Sequence, residues 1–271
     1  MKAEEKLAVL KENMASMQSL ALGYSGGVDS TFLMVIANEV LGKNFLAVTA
    51  ASPTYSQREQ IEAIKLAERL GVQHLLIDVE PFDIPGYGDN PPDRCYLCKS
   101  QLFTCLWGIA RERGIEHVAD GSNVDDLGDY RPGLIALQEL GVSSPLMEAG
   151  MGKEDIRLLS RDMGLPTWDK PAAACLASRF PYGQRIDREQ LARVEKAEDY
   201  LVGLGFKQVR VRVHNDLARI EVGPEELTRL VNPELMDRIN RELKQLGFRY
   251  VAMDLQGYRT GSLNPGTNTK A

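Results

Sequence analysis

Two sets of residues in this chain could do chemistry: a hexapeptide rich in glycine and hydroxyl groups near the N-terminus, and a set of cysteines. The hexapeptide lies between an apolar run typical of a buried strand, residues 20–24, and a helical pattern over residues 31–40. Glycine permits positive φ and close approach of a ligand, and the first amides of a helix attract anions. The sequence therefore predicts a turn that binds phosphate or pyrophosphate, formed by Ser25, Gly26, Gly27, Val28, Asp29 and Ser30.

The four cysteines lie in three different settings. Cys95 and Cys98 form a Cys-x-x-Cys pair near the predicted start of a helix, where the dipole favours thiolates. Cys105 follows Cys98 by seven residues, about 10.5 Å along the helix axis, so we expect a small buried hydrophobic residue there. Cys175 lies in an alanine-rich segment near Arg179, a setting that fits either simple packing or a thiolate of low pKa.

Coordination chemistry limits what the cysteines could bind. A structural zinc site needs four protein ligands, and none of the three histidines has a useful spacing to the Cys-x-x-Cys pair. Cys95 and Cys98 lie within one helical turn, so they could bind one metal ion or one cluster.

A polar loop over residues 120–126 follows the fourth predicted strand. Its carboxylates could hold Mg²⁺, which prefers oxygen ligands, and Asp29 is a further candidate. The sequence does not identify which carboxylate would do so. From this loop we predict contacts to a nucleotide from Asp120, Gly121, Asn123 and Asp126.

Arg210 and Arg212 alternate with valines over residues 208–214, a pattern typical of a strand with one buried face. Residues two apart share a strand face, so the two guanidinium groups lie side by side. They could form a solvated strand face or a fork that binds a phosphate.

The chemistry-bearing residues must be positioned by a larger framework. Predicted strands over residues 20–24, 44–49, 73–79 and 115–119 alternate with helices, which indicates an α/β fold with a mostly parallel, doubly wound sheet. Ligands sit at the carboxyl ends of such strands, so Ser25, residues 49–53 and the loop at Asp120 are expected to converge. We place this domain at residues 1–166. Residues 167–271 then form a smaller α+β domain, for which we expect an antiparallel sheet.

Composition restricts the class of protein. The chain has 271 residues, 44% of them hydrophobic and 26% charged, as in ordinary globular proteins. A net charge of -6 argues against a nucleic-acid partner. The N-terminal segment has the spacing of an amphipathic helix rather than a signal peptide, and no apolar run could span a membrane. We therefore expect a cytoplasmic protein with no membrane partner and no disulfide framework.

The hexapeptide resembles the signature of the PP-loop ATP pyrophosphatases, which split ATP into AMP and pyrophosphate. Together with residues 130–133, the segment around Cys175 and residues 209–216, it resembles the LarE family of ATP-dependent sulfur transferases. The resemblance runs from about residue 3 to residue 260 in motif order. It implies ATP and Mg²⁺ as cofactors and a small-molecule nucleotide as substrate.

The resemblance also implies a reaction and a set of roles. LarE proteins adenylate the carboxylates of pyridinium-3,5-biscarboxylic acid mononucleotide and convert them to thiocarboxylates, for the nickel-pincer cofactor of lactate racemase. Members with a Cys-x-x-Cys pair use three cysteines for a [4Fe-4S] cluster, here Cys95, Cys98 and Cys175, and take sulfur from sulfide or another donor. The other site residues expected by resemblance are Ser178, Arg179, Glu198, Arg210, Arg212 and Glu221 for catalysis, and Arg131 for the nucleotide.

Three alternative functions remain open from the sequence. A tRNA 2-thiolation enzyme also joins a PP-loop to cysteine-bound iron and sulfur, although the acidic total weighs against it. A PP-loop amide ligase such as NAD synthetase would not need the three cysteines. A non-catalytic nucleotide sensor with a structural metal is the third alternative. The edge of the small sheet offers a dimer contact, so we expect a homo-oligomer.

Overall fold

The structure, a computed structural model, describes residues 1–128, 132–171 and 174–259. The chain forms two compact units: unit 1 comprises Met1–Ile84 and Asp93–Ala173, and unit 2 comprises Pro85–Pro92 and Ala174–Ala271, each as far as it is described. The division predicted from the sequence, residues 1–166 and 167–271, stays a prediction.

Unit 1 contains a parallel sheet with the strand order β3-β2-β1-β4. The central strand β1 pairs on one side with β2, Leu22 opposite Ala47, and on the other side with β4, Leu22 opposite Ala119. The parallel α/β fold predicted from the sequence is confirmed. The strands are β1 (Leu20–Gly23), β2 (Phe45–Ala51), β3 (His74–Asp78) and β4 (His117–Ala119).

Helices cover both faces of this sheet. Leu20 and Leu22 of β1 pack into one hydrophobic cluster, and Ala21 packs into another, as the alternation of side chains along a strand requires. The first cluster includes α1, α2 and α7, and the second includes α4 and α5. None of the helices within the described residues is long and apolar enough to cross a bilayer. The helices of unit 1 are α1 (Ala3–Met17), α2 (Val28–Leu41), α3 (Gln57–Arg69), α4 (Arg94–Glu112), α5 (Pro132–Glu139), α6 (Pro145–Glu148) and α7 (Lys153–Asp162).

Unit 2 has a small mixed sheet with the strand order β5-β6-β7. Strands β5 and β6 are antiparallel and joined by a turn at Asn215 and Asp216, where Asn215 has a φ of 55°. The expectation of an antiparallel sheet is wrong for β7, which pairs parallel to β6. Two helices separate β6 from β7, and such a crossover returns the chain in the same direction. The elements are α8 (Arg188–Gly203), β5 (Val209–His214), β6 (Leu217–Val222), α9 (Leu227–Leu230), α10 (Pro233–Gln245) and β7 (Tyr250–Met253).

Candidate active site

The predicted pyrophosphate-binding turn joins the end of β1 to the start of α2. Gly27 is the N-cap of α2, and Gly26 has a φ of 72°, a conformation that glycine adopts without strain. A Cβ atom on Gly26 would lie 2.6 Å from the Cβ of Ala63 in α3, so no larger residue fits. The first amides of α2 have no acceptor within the helix and lie at its positive end. The turn thus has the geometry of an anion site.

Two serine hydroxyls close the turn. The Oγ atoms of Ser25 and Ser30 lie 3.0 Å apart, and the Ser25 amide donates to Ser30 Oγ at 3.3 Å. Ser30 Oγ is also placed to donate to the carbonyl of Gly27, at 3.3 Å. These contacts tie the two ends of the hexapeptide together through uncharged groups.

Asp29, in the first turn of α2, forms an ion pair with Lys153 at the start of α7. Its Oδ1 atom is buried and accepts no hydrogen bond from the residues that the structure describes. Burial raises the pKa of Asp29, and the Lys153 ammonium offsets this only in part. Asp29 is therefore an under-solvated carboxylate beside the anion site, as a ligand for an incoming cation would be.

Asp120, in the loop after β4, accepts several hydrogen bonds. Its side chain is 6% exposed and accepts from Lys99 Nζ at 3.0 Å. Oδ1 also accepts from the Ser122 amide at 3.1 Å and from Ser144 Oγ at 2.8 Å, and Oδ2 accepts from Ser122 Oγ at 2.6 Å. Burial alone would raise the pKa of Asp120, but Lys99 and the hydroxyl donors lower it below its usual range. Asp120 is thus ionised, and its hydrogen bonds to Ser122 and Ser144 hold the loop in this conformation.

The loops that the sequence placed at one edge of the sheet lie together. A Cβ atom on Gly121 would lie 3.1 Å from the amide nitrogen of Ser30, so the two backbones are in contact there. Thr49 Oγ1 donates to the carbonyl of Tyr24 at 2.8 Å and lies 2.8 Å from His74 Nε2. The carboxyl ends of β1, β2 and β4 therefore meet around the turn.

The remaining acidic residues of this loop bond to backbone amides. Asn123 donates its amide to Asp126 Oδ2 at 3.0 Å, and the amide of Lys153 donates to Asp125 Oδ2 at 2.7 Å. Within the described ranges no three His, Cys, Asp or Glu side chains are grouped as an all-protein metal site requires. Mg²⁺ commonly binds through one or two carboxylates together with substrate phosphates. Asp29 and the carboxylates of this loop fit that mode.

Cys95 and Cys98 lie at the start of α4, as predicted, and both are half-buried. Their spacing of three places them on one side of the helix. Cys105 is exposed, so the expectation of a buried residue was wrong. The buried side of α4 is formed by Phe103, Leu106 and other residues, and Cys105 lies away from it.

Cys175 lies in unit 2, at the N-cap of a short 3-10 helix, Leu176–Arg179, and is half-buried. Arg179 forms a bidentate pair with Glu198: Nε to Oε1 at 2.9 Å and Nη2 to Oε2 at 2.8 Å. Its Nη1 donates to the carbonyls of Ala174 and Cys175, at 2.6 and 3.0 Å. The guanidinium group therefore fixes the backbone on either side of Cys175.

Glu198 connects this arginine to the sheet of unit 2. Its Oε1 also accepts from the amide of Val211 in β5 at 2.8 Å. Burial would raise the pKa of Glu198, but Arg179 and Arg210 lower it. Glu198 is thus an ionised, buried carboxylate with a structural partner on two elements.

Arg210 and Arg212 are 8% and 6% exposed, which excludes the alternative of a solvated strand face. Arg212 donates from Nε to Glu221 Oε2 at 3.0 Å and from Nη1 to the carbonyl of Ser178 at 3.0 Å. The guanidinium of Arg210 lies over the ring of Tyr258 at 5.3 Å. Burial and the nearby Arg179 lower the pKa of Arg210. Arg210 is thus a buried cation whose charged neighbours include both Arg179 and Glu198.

Glu221 is fully buried and pairs with two arginines. Its Oε2 accepts from Arg212, and its Oε1 accepts from Arg219 Nη2 at 3.0 Å. Arg219 also lies 3.5 Å from Asp254 Oδ2. Glu221 thus holds Arg212 and Arg219 in place.

Sequence reasoning missed the lysines of unit 1. Lys99 and Lys153 bond to carboxylates of the two loops, and Lys170 bonds to the carbonyl of Gly26. No motif marks them, because each lies far in sequence from the loop it contacts; only the position of Lys99 directly after the Cys-x-x-Cys pair could have drawn attention. Arg131, predicted to bind nucleotide, lies outside the described residues.

Comparisons with known proteins support the geometry of unit 1. A family described as NAD synthase matches residues 4–85, which contain the turn and the strands β1, β2 and β3. A tRNA-specific 2-thiouridylase, MnmA, of Caulobacter sp. is 25% identical over 74% of this chain and 65% of its own length. These matches place the N-terminal part among PP-loop enzymes.

Several relatives match almost the whole chain. The pyridinium-3,5-bisthiocarboxylic acid mononucleotide synthase of Lactiplantibacillus plantarum is 42% identical over 98% of this chain and 96% of its own length. An uncharacterized protein of Synechocystis sp. is 44% identical over 96% of this chain and 97% of its own length. The similarity therefore extends through unit 2, beyond the residues that NAD synthase matches.

Proposed function

This chain belongs to the LarE family, and from that membership we propose that it is an ATP-dependent sulfur transferase acting on pyridinium-3,5-biscarboxylic acid mononucleotide. The observation that carries the proposal is the 42% identity, over 98% of the chain, to a synthase whose name states the bisthiocarboxylic acid product. The proposed role is in the synthesis of the nickel-pincer cofactor.

The proposed first step is adenylation. A substrate carboxylate oxygen attacks the α-phosphorus of ATP, the bond to the β-phosphate oxygen breaks, and pyrophosphate leaves. The carboxylate is already ionised, so the step needs charge stabilisation and not a general base. Support comes from the amides at the start of α2 in the turn of residues 25–30, and from Asp29 and Asp126 as candidate ligands of Mg²⁺ alongside phosphate oxygens.

In the proposed second step a sulfide sulfur attacks the acyl carbon of the adenylate, and AMP leaves with one carboxylate oxygen. We propose that Cys95, Cys98 and Cys175 hold a [4Fe-4S] cluster. When bound, the cluster would supply an iron able to carry the sulfide. Support comes from the donor set: two thiols three residues apart on α4, and a third whose flanking backbone Arg179 fixes.

We propose that the arginines of unit 2 bind the phosphate of the substrate. Both are candidates for direct contact: Arg212 also bonds to Glu221 and to the carbonyl of Ser178, and Arg210 also donates to the carbonyl of Val209 at 2.7 Å. Arg212 and Arg179 then position the segment that carries Cys175, and Glu198 and Glu221 hold them. We further propose the division into domains 1–166 and 167–271, a cytoplasmic location and a homo-oligomer.

The decisive experiment is turnover under anaerobic conditions with reconstituted protein, Mg·ATP, sulfide and the dicarboxylate mononucleotide. We expect pyrophosphate release that depends on the mononucleotide, and mass spectra that show sulfur replacing oxygen at both carboxylates. Iron and acid-labile sulfide are measured beside Cys175→Ala, which should hold less of both. Binding of ATP without substrate-dependent pyrophosphate release would contradict the proposal.

A second function has one observation in its favour, the match to the tRNA 2-thiouridylase. Filter binding of tRNA across a salt series separates the two, because phosphate-driven binding of RNA falls steeply as salt rises. Salt-dependent tRNA binding with thiolated tRNA as product would replace the mononucleotide proposal. We expect neither.

A further inference from the structure

One lysine that the proposed chemistry does not use lies against the pyrophosphate-binding turn. Lys170 Nζ lies 3.2 Å from the carbonyl oxygen of Gly26 and 3.3 Å from Glu62 Oε2 on α3. The Lys170 side chain is 19% exposed, whereas that of Glu62 is 55% exposed. The ammonium group is therefore held mainly at the turn.

The backbone of Lys170 is anchored as well. Arg157 of α7 donates from Nη2 to the carbonyl of Lys170 at 2.9 Å and from Nη1 to that of Trp168 at 3.2 Å. The amide of Lys170 donates to the carbonyl of Thr167 at 3.0 Å. Because both ends of the residue are held, the contact between Lys170 and Gly26 is a built feature.

The bonded carbonyl belongs to the peptide unit that joins Gly26 to Gly27. In a trans peptide the C=O and the following N–H point in opposite directions. Gly27 is the N-cap of α2, so its N–H lies at the start of the anion site. An ammonium on the carbonyl side therefore fixes and polarises an N–H group on the opposite side.

We propose that Lys170 is a positioning residue of the ATP site, holding the Gly26–Gly27 peptide so that the Gly27 N–H donates to the pyrophosphate group. The inference rests on the proposed use of ATP at residues 25–30. Lys170 acts through the peptide and does not itself contact phosphate. A glycine pair has little conformational preference of its own, and this lysine supplies the orientation that the sequence of the turn lacks.

The test compares three substitutions at one position by isothermal titration of the full chain with Mg·ATP, with pyrophosphate and with adenosine. Lys170→Met removes the donor, and we expect affinity for ATP and pyrophosphate to fall about tenfold, as for loss of a bond to a charged group. Lys170→Gln and Lys170→Arg keep a donor and should stay within about threefold of wild type. Adenosine affinity should not change. Lys65→Met, at an exposed position of α3, is the matched control.

Each outcome decides the matter. Equal losses for Gln and Met, with Arg retaining affinity, would mean that the charge itself binds phosphate, and would overturn the positioning role. Wild-type affinity in Lys170→Met would overturn it too. If Lys170→Met does not fold, Gln beside Arg still separates the two roles. Wild-type protein that binds neither ATP nor pyrophosphate would overturn the proposed function, and this inference with it.

Discussion

The turn at residues 25–30 and the arginine–glutamate cluster of unit 2 differ in how far their charged side chains are exposed to solvent. This cluster consists of Arg179, Glu198, Arg212, Arg219 and Glu221. Around the turn the cations are lysines at the rim: Lys99 and Lys153 are about one-third exposed. In unit 2 the side chains of Arg179 and Arg212 are 4% and 7% exposed, and Glu221 is fully buried. Exposed ion pairs exchange partners at little cost, whereas breaking a buried pair leaves an uncompensated charge.

This difference matches what each region would have to do. Under the proposed function pyrophosphate enters as part of ATP and leaves in each cycle, so backbone amides beside the partly exposed Lys99 and Lys153 suit its site. The cluster of unit 2 fixes the backbone at and after Cys175, because Arg179 donates to the carbonyl of Cys175 and Arg212 donates to the carbonyl of Ser178. Its pairs are therefore expected to persist throughout the reaction.

The largest effect should come from the buried cluster. Glu221→Gln leaves two guanidinium groups without their shared carboxylate, and we expect a loss of about 3 to 5 kcal/mol in the free energy of unfolding. Urea unfolding measures it. Asp237→Asn, exposed on α10, should change stability by less than about 0.5 kcal/mol. A loss of similar size in both variants would remove the contrast between the regions.

At the turn, Gly26→Ala should cost about 1 to 3 kcal/mol, because alanine is strained at positive φ and its Cβ meets Ala63. Affinity for Mg·ATP should fall with it. The double variant with Ala63→Gly relieves the contact but not the backbone strain, so it should recover part of the stability. Complete recovery would show that φ at Gly26 is unimportant.

The pH dependence of stability should have opposite signs at the two aspartates of the ATP site. The lowered pKa of Asp120 gives stability that is present above the ordinary value of about 3.9 and is lost as pH falls through the native pKa. The raised pKa of Asp29 makes stability fall as pH rises from about 3.9 through the native pKa.

Unfolding free energies of wild type, Asp120→Asn and Asp29→Asn, measured from about pH 3 to 7, test this pair. The advantage of wild type over Asp120→Asn should shrink in acid. Relative to Asp29→Asn, wild type should lose stability as pH rises. Parallel curves for the two variants would contradict the difference in environment.

The smallest effect should be that of Cys105→Ser. The side chain is exposed on α4, so we expect less than about 0.5 kcal/mol in stability. Iron and acid-labile sulfide after anaerobic reconstitution should match wild type, whereas Cys98→Ser should lower both. Loss of iron in Cys105→Ser would require a different ligand set from the one proposed.

Local pattern was enough to predict much of the framework. The predicted strand over residues 73–79 contains β3, and the helical pattern over residues 31–40 lies within α2, because periodicity and glycine or proline boundaries are local signals. The orientation of β7 was missed because strand direction depends on the path of the crossover. Cys105 was misplaced because spacing along a helix does not reveal which side is covered.

The sequence by itself determined the chemistry of the turn: glycines leave its backbone amides open to a ligand, and the start of a helix attracts anions. Only the tertiary structure shows which cations contact these loops and which carboxylate holds the buried arginines. Lys99, Lys153 and Lys170 reach loops 21 to 144 residues away, and Glu221 holds two arginines at once. Such contacts depend on how helices and strands pack, which no short stretch of sequence encodes.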